Sequence, residues 1–161
     1  MNAGPVAEKE RTQKFVQLFS FVVFIAFLVI SALDHRYGWS NVPLYIVILG
    51  EILVILGYFL IFLVFRENAF ASAIIEVTAD QKVITTGPYS VVRHPLYVGG
   101  LIMMLGTPLA LGSWWGLLMF IPFTLGIIWR LFDEEKFLSK NLPGYKEYCQ
   151  RVRYRLIPFL W

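Results

Sequence analysis

Residues 96–129 read LYVGGLIMMLGTPLALGSWWGLLMFIPFTLGIIW, an apolar run without a charged side chain. The run is too long for one membrane crossing, which takes about 20 residues of helix. Gly112-Ser113 divides it near the middle. Two antiparallel helices, 96–111 and 114–129, joined by a tight Gly-Ser turn account for the pattern. Each half is slightly short of a full span, so local bilayer thinning or flanking anchors cover the difference.

Working outward, two further runs meet the length of a span. These are FVQLFSFVVFIAFLVISAL at 15–33 and PLYIVILGEILVILGYFLIFLVF at 43–65. The composition agrees. Of 161 residues, 58% are hydrophobic, 17% aromatic and only 16% charged, with a mean hydropathy of +0.65. Soluble domains are nearer a quarter charged. The expected class is an all-α integral membrane protein, one domain over 1–161, with four transmembrane helices, the third and fourth a tight hairpin. The polar start MNAGPVAEKERTQK leads into apolar sequence with no small-residue cleavage site, so 15–33 reads as a first span. A lone cysteine, Cys149, excludes an internal disulfide. With only two histidines, His35 and His94, it also argues against a Cys/His metal cluster.

The fourteen Lys and Arg residues set the sidedness. With four spans, thirteen lie on the side of the N-terminus, the 66–95 loop and the tail, and only Arg36 lies opposite. The positive-inside rule then places both termini and that loop in the cytoplasm. Trp39, Trp114 and Trp115 fall at the outer interface and Trp129 at the inner one. The net charge of +3 and pI near 9.1 therefore report topology rather than nucleic-acid binding. The closing RVRYRLIPFLW reads as an interfacial segment on anionic lipid.

Chemistry concentrates on the cytoplasmic side. AIIEV and KVITT, separated by TADQ, read as a small hairpin or extended excursion. GPYSVVRHPLY then packs two prolines, a glycine and several polar or aromatic side chains into 87–97. Pro95 suits the first turn of a helix, whose positive end favours an anionic group near His94 and Arg93. Arg93 fits either a carboxylate-gripping ligand or an interface anchor. The fourth helix runs on through WRLFDEEKFLSK, which puts Arg130, Asp133, Glu134 and Phe137 on one face. YKEYCQRVR reads as a short amphipathic helix. Glu51 sits inside the second span, where a carboxylate is costly and marks function by default. A polar cavity within the bundle or a protonated bond to a neighbouring helix would each satisfy it.

GPYSVVRHPLYVG, then R-x-x-x-E-E, then Y-x-x-Y-x-x-R-V resembles the isoprenylcysteine carboxyl methyltransferase family over residues 70–158. The related phospholipid methyltransferases share much of the pattern. The resemblance implies an integral membrane enzyme that uses S-adenosylmethionine without a Rossmann domain. It implies a methyl acceptor that is lipid-like or isoprenylcysteine-like. By the same resemblance, Gln81, Lys82, Val83, Ile84, Tyr89, His94, Pro95, Leu96, Tyr97 and Glu134 contact the cofactor. Arg130 and Glu134 are then the catalytic pair, and Arg130 the substrate arginine. Glu51 joins the substrate residues as an intramembrane carboxylate, and no metal or nucleic acid is implied. A carboxylate acceptor needs no general base, whereas an amine acceptor would draw on Glu134, Glu135 or Glu51. The tail lacks the proline that follows R-V in eukaryotic members, which leaves the acceptor open. Two other classes fit fewer features: an NADPH-dependent sterol or isoprenoid reductase, and a non-catalytic lipid-binding bundle.

Overall fold

The computed structural model describes residues 11–68 and 82–161. Among them the chain is helical, with no strand. The helices are α1 (Arg11–Tyr37), α2 (Leu44–Glu67), α3 (Pro95–Ala110), α4 (Trp114–Leu118), α5 (Phe120–Asn141) and α6 (Tyr145–Arg151). A 3-10 turn, Gly87–Ser90, precedes α3. Among the described residues, three stretches are long and apolar enough to cross a membrane: Lys14–Tyr37, Leu44–Glu67 and Trp114–Asn141. The expected third span, α3, is a shorter apolar helix of 16 residues.

Two of the four expected apolar runs extend beyond their predicted ends, and the last one is broken. α4 stops at Leu118 and α5 restarts at Phe120. Pro122 explains the break. A proline offers no N–H and its ring crowds the carbonyl four residues back, here that of Leu118. α5 then continues through the charged WRLFDEEKFLSK segment, as its periodicity predicts. The Gly112-Ser113 turn also forms as expected. Gly112 takes φ +69°, and the Ser113 hydroxyl caps α4 by accepting from Gly116 N at 2.9 Å. The expected hairpin is a different matter. KVITT forms no strand. Val83 instead packs on the cluster of Leu142, Tyr145 and Tyr148 around α6, and the AIIEV segment lies outside the described residues.

The helices pair in two antiparallel sets. α2 and α3 touch backbone to backbone through glycines seven residues apart on each helix. A methyl added at Gly57 would lie 2.7 Å from Gly99 O, and one at Gly106 would lie 2.7 Å from Gly50 O. Small residues permit this approach where a hydrophobic drive between helices is weak. α1 runs against α4 and α5, with Phe15 near Trp129 at one end and Ser31 beside Gly116 at the other.

That second end is closed by Asp34, a residue that no sequence signal singles out. Its side chain is fully buried at the end of α1. It accepts hydrogen bonds from Ser40 N (2.7 Å), Ser40 Oγ (2.7 Å) and Ser113 Oγ (2.5 Å). Three segments are thereby tied at one carboxylate. Asp34→Ala leaves these donors without their shared acceptor and is expected to lower the melting midpoint. A detergent melt of the variant with an unchanged midpoint would contradict this clamp.

Candidate active site

The site forms at the opposite end, where α3 starts and α5 leaves the apolar layer. Pro95 is the first residue of α3 and is buried, which fixes the turn before it. The backbone N–H groups of Arg93 and His94 donate to the carbonyls of Tyr154 and Arg155 at 2.9 and 3.1 Å. The C-terminal segment is thus a strap across the 92–95 turn. That corrects its reading as a lipid-interface segment in part. Phe159 and Leu160 remain strongly exposed, but Arg155 points inward.

Two carboxylates on α5 organise the charges. Glu135 Oε1 lies 2.8 Å from Arg93 Nε and 3.3 Å from His94 Nε2, while its Oε2 accepts from Arg155 Nε at 2.9 Å. For His94 Nε2 to meet a carboxylate oxygen it must carry the proton. Arg155 is also held between Phe132 and Trp161, with its guanidinium carbon 5.4 and 5.5 Å from the two ring centroids. Arg93 is buried. Its partners are the Glu135 carboxylate and, at 3.4 Å, the Val152 carbonyl.

Glu134, one position earlier, serves a second chain of bonds. Arg130 Nε donates to Tyr97 Oη at 3.2 Å, and the Tyr97 hydroxyl donates to Glu134 Oε2 at 2.5 Å. The His94 and Tyr97 rings lie nearly parallel with centroids 5.6 Å apart. The start of α3 and the Arg130–Glu135 face of α5 therefore meet through two adjacent glutamates with different partners.

An aromatic wall flanks them. Tyr89 accepts at its hydroxyl from Asn68 Nδ2 (2.9 Å), and its carbonyl accepts from Tyr148 Oη (2.7 Å). Burial and the nearby Glu134 charge push the Tyr89 hydroxyl above its usual range, against the bond from Asn68. Tyr145 is buried to 4% exposure, and among the described residues its hydroxyl has only the Cys149 thiol beside it, a weak partner. Burial holds that hydroxyl firmly protonated. A buried O–H without a strong acceptor is the kind of group a polar ligand satisfies.

Of the expected cofactor residues, Tyr89, His94, Pro95, Tyr97 and Glu134 come together here, with the expected substrate arginine, Arg130. Val83 and Ile84 are half-buried, Val83 against α6, while Lys82 is exposed. Leu96 is half-buried on α3. Gln81 lies outside the described residues. Glu51 stands apart from these residues. It is exposed on α2, next to Gly50, at the Ala110 end of α3. Ala110 is 15 residues from Pro95, roughly 22 Å of helix from the site. The α2 stripe that packs on α3 is Gly50, Gly57 and Val64, so the neighbouring Glu51 faces away from the bundle. Sequence reasoning gave no site role to Asn68, Tyr145, Tyr148 or Arg155. The signals available were the Y-x-x-Y-x-x-R-V block, whose tyrosines are Tyr145 and Tyr148, and the Arg-aromatic alternation of the tail.

Residues 45–144 match the phospholipid methyltransferase family. The chain is 32% identical over 150 residues to protein-S-isoprenylcysteine O-methyltransferase B of Arabidopsis thaliana, covering 84% of this chain and 68% of the plant protein. It is 35% identical over 140 residues to a probable protein-S-isoprenylcysteine O-methyltransferase of Oryza sativa subsp. indica, covering 83% and 68%. It is also similar to the Delta(14)-sterol reductase of Mus musculus, 36% identical over 90 residues, or 54% of this chain but only 22% of the reductase.

Proposed function

Because the chain belongs to the phospholipid methyltransferase family, we propose that it is an integral membrane methyltransferase acting on a lipid-like acceptor through the site at the start of α3. The observation that carries this reading is the bond chain Arg130–Tyr97–Glu134 beside the Tyr89 wall, which joins two distant sequence blocks. The isoprenylcysteine methyltransferase names of the plant relatives support a prenylated cysteine carboxylate as the acceptor.

S-adenosylmethionine, the methyl donor of this reading, supplies a methyl group already activated on a sulfonium. The chain's own residues then have to bind, orient and exclude water. Glu134 presents an acceptor oxygen for a hydroxyl or amine, since Tyr97 engages only its other oxygen. Tyr145 offers a buried donor, and Val83 and Ile84 lie along the α6 side. The Arg130 charge beside Tyr97 supports its assignment to the acceptor carboxylate. That acceptor needs no proton removed, which agrees with a site built from ion pairs rather than around a general base. In the same reading α3 is a fourth crossing, because it lies along α2. The basic side, with both termini and the site, is cytoplasmic.

The test is methyl transfer from labelled S-adenosylmethionine to a farnesylated cysteine in detergent. The expected product is a base-labile methyl ester. Base-stable label would instead assign an amine acceptor. Absence of transfer, together with thermal stabilisation by NADPH but not by S-adenosylhomocysteine, would favour reductase chemistry.

A further inference from the structure

A groove of about 480 Å³ lies on the other side of the 92–95 turn. Leu60 and Leu63 of α2, Val98 of α3, Leu156 of the tail, and Val92 and Pro95 form its apolar walls. Arg93 and His94, between Val92 and Pro95 in sequence, turn instead to Glu135. The turn is thus a partition, with the charged site on one side and the groove on the other.

The two ends of the groove differ in character. Leu60, Leu63 and Val98 belong to apolar helices, at the depth of acyl chains for any helix that spans. Arg66 and Glu67 stand in the last turn of α2, where the candidate span ends. Glu67 also lines the mouth, but its carboxylate is engaged there by the Thr86 hydroxyl, against Gly87. Arg66 is left as the cation at the mouth, at headgroup level, with an apolar slot below it. Volumes of 300–1,000 Å³ with few polar groups are typical of ligand pockets. A long apolar chain under a single guanidinium at the membrane boundary matches one chemistry, an amphiphile with an anionic head.

We propose that this groove holds one acyl chain of an anionic bilayer phospholipid whose phosphate pairs with Arg66, at a lipid site separate from the reacting centre. The proposal stands independently of the methyl-transfer reading, because its readout is bound lipid.

The chain is reconstituted in nanodiscs of equal phosphatidylglycerol and phosphatidylcholine, extracted in mild detergent, and its retained lipid counted by native mass spectrometry. Phosphatidylglycerol is expected to be retained preferentially. Retention should fall about fivefold or more in Arg66→Gln, recover in Arg66→Lys, and fall in Val98→Phe, which fills the slot. Equal retention of the two lipids, or unchanged retention in Arg66→Gln, overturns the proposal. So does loss of S-adenosylhomocysteine binding in well-folded Arg66→Gln, which would merge the groove with the reacting site. Should Val98→Phe fail to fold, the Gln and Lys pair at Arg66 decides the outcome.

Discussion

Glu135→Ala is expected to destabilise the protein by about 3–5 kcal/mol and to abolish activity with it. The size follows from what the substitution leaves behind. Arg93 and His94 are buried, and both face the Glu135 carboxylate, as does Arg155 from the tail. Removing one partner of a buried pair costs far more than the pair contributes, because the remaining charges stay desolvated. The effect is also structural. Arg155 connects the strap to α5, and the strap carbonyls of Tyr154 and Arg155 hold the backbone of the 93–94 turn. Glu135→Gln keeps an acceptor oxygen and should lose less. A melt of Glu135→Ala within 1 kcal/mol of wild type, by the same denaturation assay, would remove Glu135 from this organising position.

Glu134→Ala is expected to behave differently, although it is the neighbouring residue. Its carboxylate meets a neutral hydroxyl, Tyr97, rather than a set of cations. Stability should change little, while the KM for S-adenosylmethionine rises by roughly two orders of magnitude, as the loss of a charged ligand contact predicts. Tyr97→Phe should give a smaller rise, because it frees Glu134 without deleting it. A Glu134→Ala enzyme with unchanged KM and a lowered melting point would reverse the assignments of the two glutamates.

The contrast between these neighbours shows what the sequence carried. Hydropathy and the Gly112-Ser113 turn placed the apolar helices, Pro95 placed the start of α3, and the periodicity of 130–137 placed Glu134 on a shared face. Each is a local signal with a short-range physical cause. The partner of Arg93 was not legible, because it depends on Glu135 arriving from α5 and Arg155 from the tail, across 42 and 62 residues of chain. Asp34 was equally silent, since a carboxylate at a helix end reads as solvated until Ser40 and Ser113 are seen to enclose it. KVITT was legible only as one of its two readings. It forms no strand, and Val83 packs against α6 from a segment that is neither helix nor strand. The broken fourth helix was readable in Pro122, whose missing N–H outweighs the continuous apolar pattern around it.

The most direct test of the central claim is a calorimetric titration of S-adenosylhomocysteine into the detergent-purified chain, beside Glu134→Ala. Saturable binding to the wild-type chain, with heat lost in the folded variant, is the predicted result. Absence of binding to well-folded wild type, or equal binding to both, would contradict a cofactor site built on Tyr97 and Glu134.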